Sequence, residues 1–347
     1  MDSLLCLIDL LLVRLLVVNG LMKSGANCNA IEDLTYLFDQ GNSLYEYRKA
    51  TGHREKSAIE SFPSIPKQLA MLYGPGLYQP TFAKRLDAVQ TYLRLLDILL
   101  PTDQALTSGH LWHNDLHGEN IFVSHENPTQ VIGIIDWQSI QIAPLFDHCM
   151  DPVFLDYCGP PIGDSLKRPE LPDDIQSLPM HERDAIIRQF MDKSVMVAWR
   201  MLVKKKNPAQ YSAIMFEYTT EGSILHLSHH LYEIGEAYVS ALSLDLYRQY
   251  LERPAGDANR YNFPLAFSVG KALEIESERA AAQLSSEAMR SIRHELGGLW
   301  PDKGLIEHDN YEELKSKLLR VKEELTAKLA HSDRERDIFE QFWPFDS

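Results

Sequence analysis

At 347 residues the chain can hold one large domain or two ordinary ones, and its 45% apolar and 24% charged residues are the balance of a soluble globular protein. A formal net charge of −15 argues against nucleic acid as the main partner, since phosphate backbones demand a basic surface; a solubilising surface explains the acidity, and cationic substrates are compatible with it. Four cysteines, Cys6, Cys28, Cys149 and Cys158, form no C-x-x-C pair and no dense framework, which points to a reduced, intracellular protein.

Leu4 to Val18 is apolar apart from Asp9 and Arg14. The stretch is shorter than the roughly 20 residues that span a bilayer, so no transmembrane anchor is expected. An acidic Asp2 does not suit a signal peptide, and the composition is not that of a mitochondrial transit peptide. Leu4, Leu5, Ile8, Leu11, Leu12, Leu15 and Leu16 fall at helical spacing, which predicts a helix packed on the protein body. An incorrectly assigned chain start and a membrane role are the alternatives.

Glu32 to Phe62 reads as helical, and Pro63, Pro66 and Gly74-Pro75-Gly76 then mark a loop. Thr81 to Leu100 is predicted as an amphipathic helix with Phe82, Leu86, Val89, Tyr92, Leu93, Leu96 and Leu99 on one side. Two β-branched runs, around 121–123 and 131–135, flank Asn127-Pro128 and read as a hairpin. Proline and glycine make residues 144–174 loop-like, and helix predominates after Leu178. Tyr311 to Asp337 is the strongest helix, with a stripe of Leu314, Leu318, Val321, Leu325 and Leu329 and the i,i+4 pairs Glu313–Lys317 and Glu324–Lys328. No internal repeat or low-complexity tail is visible. Helix dominates, with one small β element.

That element carries the chemistry. His113-Asn114-Asp115-Leu116-His117-Gly118-Glu119-Asn120 is an H-x-D-x-x-x-x-N run, the catalytic-loop pattern of kinase-like phosphotransferases. Asp136 follows at the end of the second apolar run. Asp115 sits where a base must accept or orient the proton of an attacking hydroxyl. Asn120 offers a neutral oxygen and Asp136 a carboxylate to a hard cation, and magnesium prefers such ligands. His113 is expected to hold the loop rather than react. Any one of these residues alone reads as a turn or cap residue; the spacing and the hairpin favour a site.

Two other readings use histidine. His113, Asp115 and His117 alternate and, with Asp136 or His148, suit a zinc site that activates water for hydrolysis. That metallohydrolase leaves Asn120 and the hairpin without a task. His226, His229 and His230 have i,i+3,i+4 spacing but no H-E-x-x-H glutamate, so a satisfied surface or core cluster is the better reading. Neither a G-x-G-x-x-G nor a G-x-x-x-x-G-K-[ST] motif occurs. The upstream lysines Lys23, Lys49, Lys56, Lys67 and Lys84 lie in helical or loop-like surroundings, so the ATP-gripping lobe of a kinase is expected to be missing from this chain.

The loop and Ile135-Asp136-Trp137, which replaces the D-F-G of protein kinases, resemble the aminoglycoside phosphotransferase-like branch of the protein-kinase-like fold. Leu111-Trp112-His113, Ile134 to Gln138, Phe154-Leu155-Asp156-Tyr157 and Trp343-Pro344-Phe345-Asp346 are most similar to fungal proteins related to altered inheritance of mitochondria protein 9. The likeness runs from about residue 42 to the end, and residues 1–41 resemble no part of the family. It implies an α+β, predominantly α fold: a kinase-like C-lobe with a small β-hairpin after the catalytic loop. Residues 1–41 form an atypical N-terminal segment, and 42–347 form the lobe with a helical substrate region. It also implies ATP and magnesium as ligands, Asp115 as catalytic base, Asn120 and Asp136 as metal ligands, and a mitochondrial location. The expected activity is Mg-ATP-dependent phosphoryl transfer to a small-molecule hydroxyl of unknown identity. The alternative is a catalytically inactive kinase-like binding or scaffold protein.

Overall fold

A computed structural model of the chain describes residues 43–345 except 63, 149–150, 153–154, 156, 158, 160–161, 164, 255–261 and 302–305. The apolar stretch Leu4–Val18, the start of the Glu32–Phe62 helix and all four cysteines lie outside the described residues. Among the described residues, the first elements in chain order are helices α1 (Leu44–Ser61), α2 (Phe82–Leu99) and α3 (Gln104–Thr107). Strands β1 (Gly109–His113), β2 (Ile121–Val123), β3 (Val131–Ile134) and β4 (Ile140–Pro144) come next. Helices α4 (Met180–Lys206), α5 (Pro208–Glu217), α6 (Thr220–Leu227), α7 (Glu236–Glu252) and α8 (Val269–Leu296) follow. The last two are α9 (Tyr311–Leu329) and α10 (Asp333–Phe342). Among the described residues no helix is long and apolar enough to cross a membrane.

The chain packs as two compact units, one of residues up to 99 and from 223 onward, the other of 100–222. In the first unit, α1 starts at Ser43, whose hydroxyl accepts from the Glu46 amide at 3.3 Å. It ends where Phe62, placed before a proline, turns extended. Helix α2 confirms the amphipathic pattern but turns a shifted face inward: Arg85, Ala88 and Leu95 are buried together with Val89, Tyr92, Leu96 and Leu99. The surprise is Arg85, which is 0% exposed. Its guanidinium donates to the carbonyls of Tyr232 and, at 2.8 Å, Glu233, and lies 3.6 Å from the buried Glu236 carboxylate. Burial pushes the Glu236 carboxyl above its ordinary range, and Arg85 opposes that.

The predicted helix from Tyr311 to Asp337 is two helices. Ser332 caps α10 by accepting from the Glu335 amide at 3.3 Å, while the Glu335 carboxylate accepts from the His331 amide at 2.7 Å. This S-x-x-E arrangement satisfies amides that a continuous helix would have bonded internally, so it breaks the chain there. The apolar stripe holds: Leu314 and Val321 join Leu72, Met289, Phe339 and Trp343 in a core, with Leu318, Leu325 and Leu329 at its margin. Glu313 pairs with Lys317 at 3.2 Å, whereas Glu324 lies 3.8 Å from Arg320.

The second unit holds the strands. The expected hairpin is present as the antiparallel pair β2–β3, with Ile121 opposite Ile134 and Phe122 opposite Gly133. Asn127 builds its turn, accepting from the Thr129 hydroxyl at 2.7 Å. A second ladder joins β1 to β4, with Leu111 opposite Ile142 and His113 opposite Ile140. Sequence reading gave one β element because these two strands are short and pair across the whole hairpin. After β4 a short 3-10 turn, Leu145–His148, places Phe146 edge-on against Phe216 of α5 at 5.6 Å. Arg200 of α4 forks onto the Asp151 carboxylate at 2.8 and 2.6 Å.

Candidate active site

The site is built where the two ladders meet. Leaving β1, the chain makes a tight turn in which the Asp115 carbonyl accepts twice: from the His117 amide at 3.0 Å and from Asn120 Nδ2 at 2.8 Å. A carbonyl oxygen only accepts, so the nitrogen of the Asn120 amide must face it. Asn120 Nδ2 also donates to His117 Nε2 at 3.2 Å. Both Nδ2 protons are thereby used, and no described residue donates to Oδ1. Asn120 is buried, and its own carbonyl accepts from the Ile135 amide at 3.0 Å. That bond stitches the turn to the exit of β3.

His113 closes the same junction from the other side. It is 9% exposed, its Nε2 donates to the Ile135 carbonyl at 2.8 Å, and its ring meets Trp137 edge-on at 4.9 Å. Trp137 in turn donates from Nε1 to the Ile134 carbonyl at 2.8 Å. Ile135 is thus held at both its amide and its carbonyl, and the next residue is Asp136. Asp136 has φ 64° and ψ 51°, the left-handed region that a β-carbon disfavours. Such conformations persist where surroundings over-determine them, and they cluster at functional sites. The carboxylate is half-buried and has no hydrogen bond or ion pair with a described residue. The Asp115 side chain is exposed, with His117 Nε2 3.7 Å from its Oδ2.

These positions sort the sequence candidates. Asp115 and Asn120 share one turn, the Asn120–Ile135 bond ties that turn to the residue before Asp136, and His113 bonds to the same Ile135. His148 is elsewhere in the unit, stacked flat on Trp112 at 5.0 Å. Burial, with the His110 imidazole as a second cause, lowers it to about 4. The zinc-hydrolase set does not converge: His113 is turned into β3, and no group of three His, Cys, Asp or Glu side chains is gathered for a metal among the described residues. His226, His229 and His230 belong to the first unit and pack on one another, with His229 against the Arg48 guanidinium. They pack as a cluster, in which the buried His226 Nε2 makes no hydrogen bond among the described residues.

Sequence reading missed three features of the site: the β1–β4 ladder, the left-handed Asp136 and the Trp137 bond to Ile134. Only Trp137 carried a local signal, as part of the Ile135-Asp136-Trp137 run.

Residues 49–147 match the model of a phosphotransferase enzyme family. The match begins in α1, ends in the turn after β4 and contains every residue of the junction, which supports the aminoglycoside phosphotransferase-like resemblance for this stretch. No curated protein and no solved structure matches the chain.

Proposed function

We propose that the protein transfers the γ-phosphoryl group of ATP to the hydroxyl of a small molecule at the junction of Asp115, Asn120 and Asp136. The observation that carries this reading is the donor set: an amide whose nitrogen is fully engaged, leaving its oxygen available to a ligand, and a carboxylate with no partner among the described residues, held in a left-handed conformation one residue past a doubly anchored Ile135. A neutral oxygen and a carboxylate fit magnesium, which keeps water and substrate oxygens for its other positions. Magnesium held there would neutralise charge on the transferred phosphate. Asp115, exposed beside the turn, accepts the hydroxyl proton as the acceptor oxygen bonds to phosphorus and the bond to ADP breaks. The matched phosphotransferase family supports the reaction class, and the acceptor is not specified by any of these residues.

A second reading, a kinase-like protein that binds without turnover, is favoured by the placement of the described upstream lysines. Lys49 and Lys56 lie on α1 facing Glu46 and Glu60, and Lys84 on α2 pairs with Glu278 at 2.8 Å. A phosphate-pairing lysine on a strand would place ATP, and positioning governs such rates steeply.

Thermal unfolding with and without Mg-ATP, for the natural chain and Asp136→Asn, tests the binding part. Nucleotide at about 100 times its Kd adds roughly 2.7 kcal/mol to stability. A magnesium-dependent rise lost in Asp136→Asn supports the site, and an equal rise in both defeats the metal-ligand assignment. ADP release that persists in the natural chain with an acceptor, and vanishes in Asp115→Asn, separates the enzyme from the silent binder.

A further inference from the structure

The H-x-D-x-x-x-x-N pattern leaves position 117 open, and the structure gives that position a task. His117 heads the 3-10 turn Gly118–Asn120, with its main chain bonded at both ends. Its amide donates to the Asp115 carbonyl at 3.0 Å, and its carbonyl accepts from the Asn120 amide at 3.0 Å. A half-buried imidazole is thereby presented from a fixed turn, with Nε2 3.2 Å from Asn120 Nδ2 and 3.7 Å from Asp115 Oδ2.

Only one arrangement of protons satisfies these contacts. The Asp115 carbonyl, 2.8 Å from Asn120 Nδ2, can only accept, so it takes the amide nitrogen. The second Nδ2 proton goes to His117 Nε2, which must then be the bare nitrogen of the ring, with the ring proton on Nδ1. Turning the Asn120 amide over would set two acceptors against each other at 2.8 Å, and a proton on Nε2 would set two donors against each other at 3.2 Å. Both contacts together fix the amide, and Oδ1 is the atom left for a ligand. Nε2, being an acceptor, offers Asp115 no proton across 3.7 Å, so the exposed carboxylate keeps its oxygens for other partners.

We propose that His117 is a positioning residue, which holds the Asn120 side chain in the one orientation that leaves Oδ1 for a metal ion. This role rests on the Mg-ATP reading of the junction and extends it to a residue that would touch neither metal nor substrate. Metal ligands are oriented by the partners behind them, and removing such a partner typically costs about 10–100-fold in metal affinity. Without the imidazole only the Asp115 carbonyl would orient the amide. The histidine that alternates with His113 and Asp115, and that suits a zinc site by spacing, thus acts on the junction through Asn120.

Two measurements on the full chain test it. The first needs no metal: nitrogen NMR of isotopically labelled histidine at mildly alkaline pH, with the signals lost in His117→Gln identifying residue 117. The expected result is a proton on Nδ1 and a bare Nε2, the reverse of what an imidazole free in water favours; a proton on Nε2 overturns the proposal. The second is calorimetric titration of ATP at graded magnesium concentrations into the natural chain, His117→Leu and His117→Gln, whose Oε1 can accept the same proton. The magnesium needed for half-saturation should rise about 10-fold or more in His117→Leu and return toward the natural value in His117→Gln. Equal requirements in all three overturn the proposal and leave the Mg-ATP reading standing, as does an equal loss in both variants, which would reflect packing rather than an accepted proton. A natural chain whose ATP binding ignores magnesium defeats that reading and this role with it. If His117→Leu does not fold, the tautomer decides.

Discussion

His113 and Ile135 are joined by a 2.8 Å hydrogen bond from the imidazole Nε2 to the main-chain carbonyl, one residue ahead of Asp136. The bond ties the last residue of β1 to the exit of β3, and the Asn120–Ile135 bond ties the intervening turn to the same point. Two strands and a loop are thereby referred to one peptide unit. His113→Ala removes the donor to a part-buried carbonyl and the edge contact with Trp137, so it should cost about 1–3 kcal/mol. Urea unfolding of the natural and variant chains measures this; unchanged stability would show that the bond does not hold the junction.

Asp136 separates backbone strain from chemistry. Glycine enters the left-handed region freely, so Asp136→Gly should leave stability unchanged or raise it by up to about 1 kcal/mol while removing the carboxylate. A β-branched Asp136→Val should instead lose about 1–2 kcal/mol. Equal melting temperatures for the two variants would contradict the left-handed assignment.

The buried Arg85 and Glu236 form the most exposed weakness of the first unit. Arg85→Met leaves two carbonyls without their donor and a buried carboxyl without its neighbouring positive charge, a change that costs about 3–5 kcal/mol. The double variant with Glu236→Gln should recover part of that loss. Denaturant midpoints of the two single variants and the double decide it, and simple additivity would mean that the two groups do not interact.

His148 gives the second unit a pH dependence with a defined sign. Its folded-state value of about 4 lies below the ordinary 6.5, so on acidification the unfolded chain takes up the proton first. The contribution is full above about pH 6.5 and is lost as the pH falls through about 4, by up to about 3 kcal/mol. His148→Phe keeps a ring against Trp112 and should flatten the dependence. Unfolding at pH 7 and pH 5, followed by tryptophan fluorescence, provides the comparison; a natural chain equally stable at both would contradict it.

What could be read in the sequence was what is local. The turn that buries Asn120, the Asn127 hairpin and the apolar stripe of α9 are each fixed by residues a few positions apart, and each was legible. The β1–β4 ladder was not, because Leu111 and Ile142 are brought together only by the hairpin between them. Nothing local in the sequence marks Arg85 as buried, because the carbonyls and the carboxylate it meets lie far along the chain, after α6. The break between α9 and α10 was legible in principle: Ser332 and Glu335 form a cap signature that the strength of the flanking helical pattern obscured.

Equilibrium titration of Mg-ATP by calorimetry into the natural chain, Asp115→Asn and Asp136→Asn tests the central claim most directly. The account predicts saturable, magnesium-dependent heat for the natural chain, the same affinity for Asp115→Asn, and none for Asp136→Asn. Equal binding by the natural chain and Asp136→Asn, or loss of binding in Asp115→Asn alone, would contradict it.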